Sequence, residues 1–412
     1  MAIEQIRGKK DIVYDIVQPP EGWQPKMLWW VARDELGEQI CKKLRYRPLA
    51  NDRVLISLLA DRNQEALQVI GDYLPMGRSL VFSLPDGPVV GGVEYGQIEL
   101  GGFGSPKITP EGLDASNVCR RDLTEPNYPP SADNFLSARP RMTSTSYIDR
   151  DGVWQSDRYI FSFTGAYTLE QVVSKLAINL VVLSKLVDIH NLPFLVPFPL
   201  CVGQYPQVVG PNNKPAYFIA FRIPYGGNRS GIVNLDTMSP ENNARTVARL
   251  KESIHVVSAV RALHDLIGLG HYQLVGGNFL SVPSGLDYLA DWSTAKIIWP
   301  TGEDTARALD LSQVPLSLWK MITTMDPNIN PVNLAAELVS ETLRLYLHEE
   351  KFSFTIKPEG LDLGAGWLMM LLPFIQDRLR KGQITSVRLK KAQQIERQIT
   401  NTKKRLLKEL DV

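Results

Sequence analysis

The chain has 412 residues, 44% of them hydrophobic and 22% charged, which excludes a fibrous repeat and disorder throughout. Lys and Arg total 45 against 44 for Asp and Glu, so the net charge of +1 singles out neither nucleic acid nor an acidic partner. That balance conceals a basic end, because Gln376 to Val412 carries a local net of +7.

Three cysteines (Cys41, Cys119, Cys201) are odd in number and form no CxxC pair, which argues against a disulfide framework and a thiolate zinc site. The opening MAIEQIRGKKDIVYD has charges where a secretory leader needs an apolar core. A cytoplasmic setting is the expectation. Asn191 to Asn213 is uncharged but holds five prolines, and the apolar run Trp367 to Ile375 is nine residues, so no transmembrane segment is predicted.

Residues 1–105 read as an α+β N-terminal region of unknown type. Met27–Ala32 and Arg53–Ala60 look like strand or buried-helix pieces, and Gln64–Tyr73 like a short helix. Leu80–Leu84 and Val89–Leu100 read as strands around the turn Pro85-Asp86-Gly87-Pro88. Residues 106–153, rich in Pro, Ser, Thr and Asn, read as a linker or surface excursion. From Trp154 the patterning strengthens. Arg158–Thr164 alternates like a strand, and Leu169–Ile189 follows as a helix with Val172, Leu176, Leu180, Leu183 and Val187 on one face. Phe198–Val202 and Ala216–Ile223 are two more strands, and a long helix is expected from Pro240, capped by Ser239, to Ile267. Strand, helix, two strands, hinge and helix make a small lobe over 154–228 joined to a helical lobe over 229–382.

After that helix come Gly270-His271-Tyr272-Gln273-Leu274-Val275-Gly276-Gly277-Asn278-Phe279-Leu280 and then Tyr288-Leu289-Ala290-Asp291-Trp292-Ser293. These strings resemble the catalytic loop and metal-binding strand end of the protein-kinase-like superfamily, which includes the aminoglycoside and choline phosphotransferases. His271, Leu274, Gly277, Asn278 and Leu280 match the loop, and Asp291 matches the second acid. Position 273 lies five residues before Asn278, and Asp291 thirteen after it, as that family spaces them. The resemblance implies a two-lobed α+β kinase-like fold that binds ATP and Mg2+. Asn278 and Asp291 would be the metal ligands, and Tyr225 and Gly226, in the hinge-like Phe221–Gly227, would contact the nucleotide. His271 would support the loop by packing and hydrogen bonding, and His264 reads as a capping or surface group.

Two parts of that machinery are missing. Gln273 stands where the family has its proton-accepting acid, and an amide can only position by hydrogen bonds. The strand Arg158–Thr164 has Ser162 near the place of the phosphate-binding lysine, with Lys175 and Lys296 as alternative sources of that charge. Leu100-Gly101-Gly102-Phe103-Gly104-Ser105 superficially resembles a phosphate loop, but lies about fifty residues upstream of that strand and reads as a tight turn.

From Gln383 on, Ile384, Val387, Ile395, Ile399, Leu406 and Leu410 fall on one side of a basic amphipathic helix (383–412). It would dock on its own domain, pair with a protein partner, or touch nucleic acid or an anionic membrane surface. The first expectation for function is therefore a pseudokinase acting as a regulatory or scaffolding module, with ATP and Mg2+ bound but little phosphoryl transfer. The alternatives are an active, atypical phosphotransferase and an interaction protein that binds no nucleotide.

Overall fold

The computed structural model describes residues 3–7, 13–17, 26–60, 73–76, 79–102, 107–109, 112–114, 142–160, 167–210, 214–224, 247–248, 250–274, 278–281, 286–349, 366–381 and 386–410. The fold is α+β. Its main sheet is made of β1 (Lys26–Trp30), β2 (Tyr73–Met76), β3 (Ser79–Ser83), β4 (Gln97–Gly101), β5 (Phe198–Gly210) and β6 (Lys214–Ile223). All neighbours are antiparallel, in the order β1-β5-β6-β4-β3-β2. Phe218, Ile219, Ala220 and Ile98, Leu100 and Val81 are all buried, as inner strands of a covered sheet require.

This sheet corrects the division of the chain read from sequence. The N-terminal strands are not a separate α+β unit, because β1 and β4 are hydrogen-bonded to the strands at 198–223 and β3 joins the same sheet through β4. Helix α1 (Glu35–Lys43) and helix α2 (Ala50–Ala60) join the same body. In α2, Asp52 forms an ion pair at 2.8 Å with the fully buried Arg222 of β6, whose guanidinium also donates to the carbonyls of Leu84 and Pro85. Breaking one side of such a pair is expensive, so α2 and the β3–β4 connection are tied to the sheet. Arg53–Ala60 is thus helical, and Tyr73 opens a strand rather than closing a helix, while 64–72 lie outside the described residues.

The strand Trp154–Ile160 pairs only with Met142–Ile148 among the described residues, as a hairpin apart from the main sheet. The sheet strand that precedes the long helix is β4, sixty-odd residues upstream of it. Alternation alone reports a half-buried strand and not which sheet receives it. The hairpin instead packs on the helix Glu303–Met325, and part of the stretch expected to be a linker is structured.

Helix α3 (Leu169–Leu186) starts at a capping box: Thr168 accepts from the Gln171 N–H, and the Gln171 side chain accepts from the Thr168 N–H at 2.9 Å. Val172, Leu176, Leu180 and Leu183 of its predicted stripe are buried and the helix packs on the sheet, while Val187 is its half-buried C-cap. The helical part follows. Helix α4 (Val256–Ala262) runs into a π turn, Leu263–Ile267, and stops at Gly268, whose φ of +81° is one that a side chain rarely tolerates. The expected start of this helix at Ser239 and Pro240 lies outside the described residues. Helices α5 (Glu303–Met325), α6 (Pro331–Leu347) and α7 (Gly366–Lys381) complete the layer, with α5 packed on both of the others.

Helix α8 (Leu389–Leu410) docks on its own chain, against α3, β1 and the short strand Lys296–Ile297. Ala392, Ile395, Leu406 and Leu410 are buried there, and Arg405 forms an ion pair with the buried Asp34 at 2.9 Å. Burial holds the Lys403 ammonium below the ordinary lysine range, with Lys296 pushing the same way. No helix among the described residues is long and apolar enough to cross a membrane.

Candidate functional site

Strand β7 (Phe279–Ser281) pairs with β8 (Asp287–Leu289) in a register that puts Phe279 opposite Leu289. Asn278 and Ala290 therefore face each other, with the Ala290 N–H donating to the Asn278 carbonyl at 2.8 Å, and Asp291 follows at once. The carboxamide and the carboxylate thus sit at the ends of neighbouring strands. Both residues are buried. Asp291 adopts φ of +59°, a left-handed conformation that Asp and Asn tolerate better than most side chains.

What Asp291 meets there is a lysine. The Lys175 ammonium, from the second turn of α3, lies 2.7 Å from Asp291 Oδ1, with only 7% and 5% of the two side chains exposed. Ser293 Oγ donates to the same oxygen at 3.0 Å. The Tyr167 hydroxyl accepts from Lys175 at 3.3 Å, and its ring lies 4.6 Å from the ammonium. Tyr167 is in turn bridged to Tyr217 of β6, by backbone bonds of 2.9 Å in both directions. A Cβ on Gly101, at the end of β4, would stand 2.8 Å from that hydroxyl, so the glycine is what lets the tyrosine close on the strand. Gly101, near the start of the glycine string set aside for its distance in sequence, therefore lies beside Lys175's partner, while 103–106 lie outside the described residues.

The loop between α4 and β7 hangs on helix α5. Asp310 accepts from the backbone N–H groups of His271 at 2.7 Å and Tyr272 at 2.6 Å, and Gln313, one turn on, accepts from Leu274 N–H at 3.0 Å. His271 is fully buried; its Nε2 bonds to the Ala290 carbonyl at 2.7 Å and its ring meets Trp292 edge-on, as its expected supporting role requires. The Gln273 backbone carbonyl accepts from the Asn278 amide at 2.9 Å, and its side chain accepts from Thr294 Oγ1 at 3.3 Å. Trp292 is buried against Phe194, and the Trp292–Thr294 turn packs on α3, which brings Lys175 to Asp291.

His264 is no surface group. It is fully buried, with Nε2 at 2.9 Å from Asp310 and Nδ1 at 2.6 Å from the Tyr346 hydroxyl, which accepts from Arg307 at 2.9 Å. These partners suit a neutral ring, with Nε2–H donating and Nδ1 accepting. Burial, aided by Arg307, holds its pKa below the usual histidine range despite Asp310. Above about pH 6.5 folded and unfolded histidine are both neutral; below it the unfolded chain takes up a proton that the fold resists. Stability should therefore fall as pH drops from about 7 to about 5, read as a decreasing urea midpoint. The slope should flatten in His264→Gln, and an equal slope in that variant would assign it elsewhere.

Of the remaining expected site residues, Ser162, Tyr225 and Gly226 lie outside the described residues. Lys296 stands over the Tyr147 ring at 4.6 Å. Burial pushes the Cys41 thiol up to about 12, which leaves no thiolate nucleophile there.

No family model matches the sequence, and no curated protein matches it. Among solved structures the chain is similar to a rhoptry kinase from Toxoplasma gondii, at 14% sequence identity and a TM-score of 0.27, over 65% of this chain and 78% of that one. So low a score adds no weight, and the geometry has to stand alone.

The donor set fits a divalent ion poorly. Among the described residues no three His, Cys, Asp or Glu side chains gather as a metal group. The carboxylate at the strand end is bonded to an ammonium at 2.7 Å. A unit charge roughly 4 Å away, at an effective dielectric near 20, interacts by about 4 kcal/mol, and a dication beside Lys175 doubles that repulsion. What the arrangement holds is a buried ammonium–carboxylate pair, neutral as a whole, next to a left-handed turn and a glycine strand end.

Proposed function

We propose that the chain is a catalytically degenerate, kinase-like protein, a pseudokinase that regulates or scaffolds a protein partner and binds nucleotide without efficient phosphoryl transfer. The observation that carries this reading is the pairing of Lys175 with Asp291 beside a loop whose proton-accepting position is Gln273. Phosphoryl transfer depends on a hydroxyl oriented by a base and on charge neutralised at the transferred group. Here an amide engaged with Thr294 stands in the place of the base, and the acid that would serve the phosphates already has its counter-charge. The loop's suspension from Asp310 and the Asn278–Ala290 register support the kinase-like part of the reading.

One observation favours the alternative of an active, atypical transferase: a cation is present after all, supplied from helix α3 rather than from a strand. Transfer of labelled γ-phosphate from ATP to the chain itself and to a general protein acceptor separates the two. The pseudokinase reading expects no signal above the Asp291→Ala background. Transfer that vanishes in Asp291→Ala, with the variant still folded by circular dichroism, would establish the transferase instead.

A further inference from the structure

Helix α8 buries one side and leaves the other charged. Ala392, Ile395, Thr402, Leu406 and Leu410 are buried where the helix docks on its own chain. Opposite them Lys390, Gln394, Arg397, Asn401, Lys404 and Lys408 are exposed. At about 100° per residue the four cations fall within an arc of about 40°, in a row about 27 Å long. The helix's two acids, Glu396 and Glu409, are half-buried and lie off this row. Other cations of α8 are engaged, Arg405 with Asp34 and Lys391 with the Asp265 carbonyl, whereas the row meets no acid among the described residues. Leu389 and Leu407, five turns apart and so on one line, flank it with 52% and 41% of their surface exposed. We propose that this face rests on an anionic lipid bilayer, with the cations against the headgroups and the two leucines entering beside them. A bilayer meets a protein along one side only, so a single straight row is sufficient, and the net negative charge of the rest of the chain turns that side toward it. A protein interface gathers apolar contact at its centre and charge at its rim, whereas here charge fills the centre and the leucines stand at the ends. A nucleic-acid groove takes a helix that projects, but α8 lies along α3, β1 and Lys296–Ile297, and it has no aromatic side chain on which bases could stack. The attraction is mainly electrostatic, hence salt-sensitive, and is independent of nucleotide binding.

Flotation of the full chain with vesicles of phosphatidylcholine alone, and with about a third phosphatidylserine, tests this. The expected result is binding at least tenfold tighter to the anionic vesicles, lost when salt is raised to about 0.5 M. Neutralising the row in Lys390→Gln/Arg397→Gln/Lys404→Gln/Lys408→Gln should weaken that binding at least tenfold and leave the thermal midpoint unchanged, because these side chains are exposed. Where that variant does not fold, the wild-type comparison alone decides. A smaller preference for the anionic vesicles, absence of binding to both, or anionic binding that the quadruple variant keeps would overturn the proposal. Tighter binding to a short DNA duplex or to polyglutamate, at equal concentration of negative charge, would also overturn it and give the row to nucleic acid or to an acidic protein.

Discussion

Replacing Asp310 with Ala is expected to destabilise the fold by about 3–5 kcal/mol, the largest effect of any single polar change in the helical part. The carboxylate is fully buried inside α5 and accepts from three donors: the N–H groups of His271 and Tyr272, and Nε2 of His264. Truncation leaves all three without an acceptor in a space closed to water, at about 1–3 kcal/mol for each group. Tyr272 also holds φ of +56°, a conformation that persists only where its surroundings enforce it. The loop should therefore loosen as well as the fold. Urea denaturation measures the first effect, and limited proteolysis between residues 268 and 280 the second. Asp310→Asn, which keeps one accepting oxygen, should fall between wild type and Ala. An unchanged midpoint and cleavage pattern in the Ala variant would mean that the loop is held by something other than α5.

Lys175→Met is expected to destabilise by a similar 3–5 kcal/mol, for a different reason. Methionine fills the space of the lysine stem and suits a helix, so packing and propensity change little. The loss comes from leaving the Asp291 carboxylate buried without its ammonium. That origin has a signature. In the double variant Lys175→Met/Asp291→Asn the stranded charge is gone, while Asn still accommodates the left-handed backbone at 291. At least half of the lost stability should return, giving a coupling energy of about 2 kcal/mol or more in a double-mutant cycle. Additive losses would mean that the two side chains are neighbours without being energetically linked.

Much of this site was legible in the residues. His271, Asn278 and Asp291 were singled out by spacing, and the β7–β8 register sets Asn278 opposite Ala290, next to Asp291 in the chain. Lys175 and Asp310 left weaker signs. Lys175 falls on the same helical face as Val172 and Leu176, and Asp310 interrupts the apolar string Ala308-Leu309-Asp310-Leu311. A charge on a buried face needs a partner, but periodicity cannot say where that partner lies. His264 was misplaced because a helix end looks exposed in sequence. A π turn and the packing of α5 and α6 carry it inward, against Asp310 and Tyr346.

By itself the sequence determined the local elements: the stripe of α3, the amphipathic face of α8, and the loop whose His, Asn and Asp recur at fixed steps. Such features depend on contacts a few residues apart, and period and capping chemistry encode them directly. Only the tertiary structure decided which strands share a sheet, that the main-sheet strand preceding α3 in the chain is β4 and not the nearer hairpin, and that Asp291 is answered by Lys175. These are pairings across a hundred residues or more in the last case, chosen by which buried surfaces and charges satisfy one another, and no local pattern records that choice.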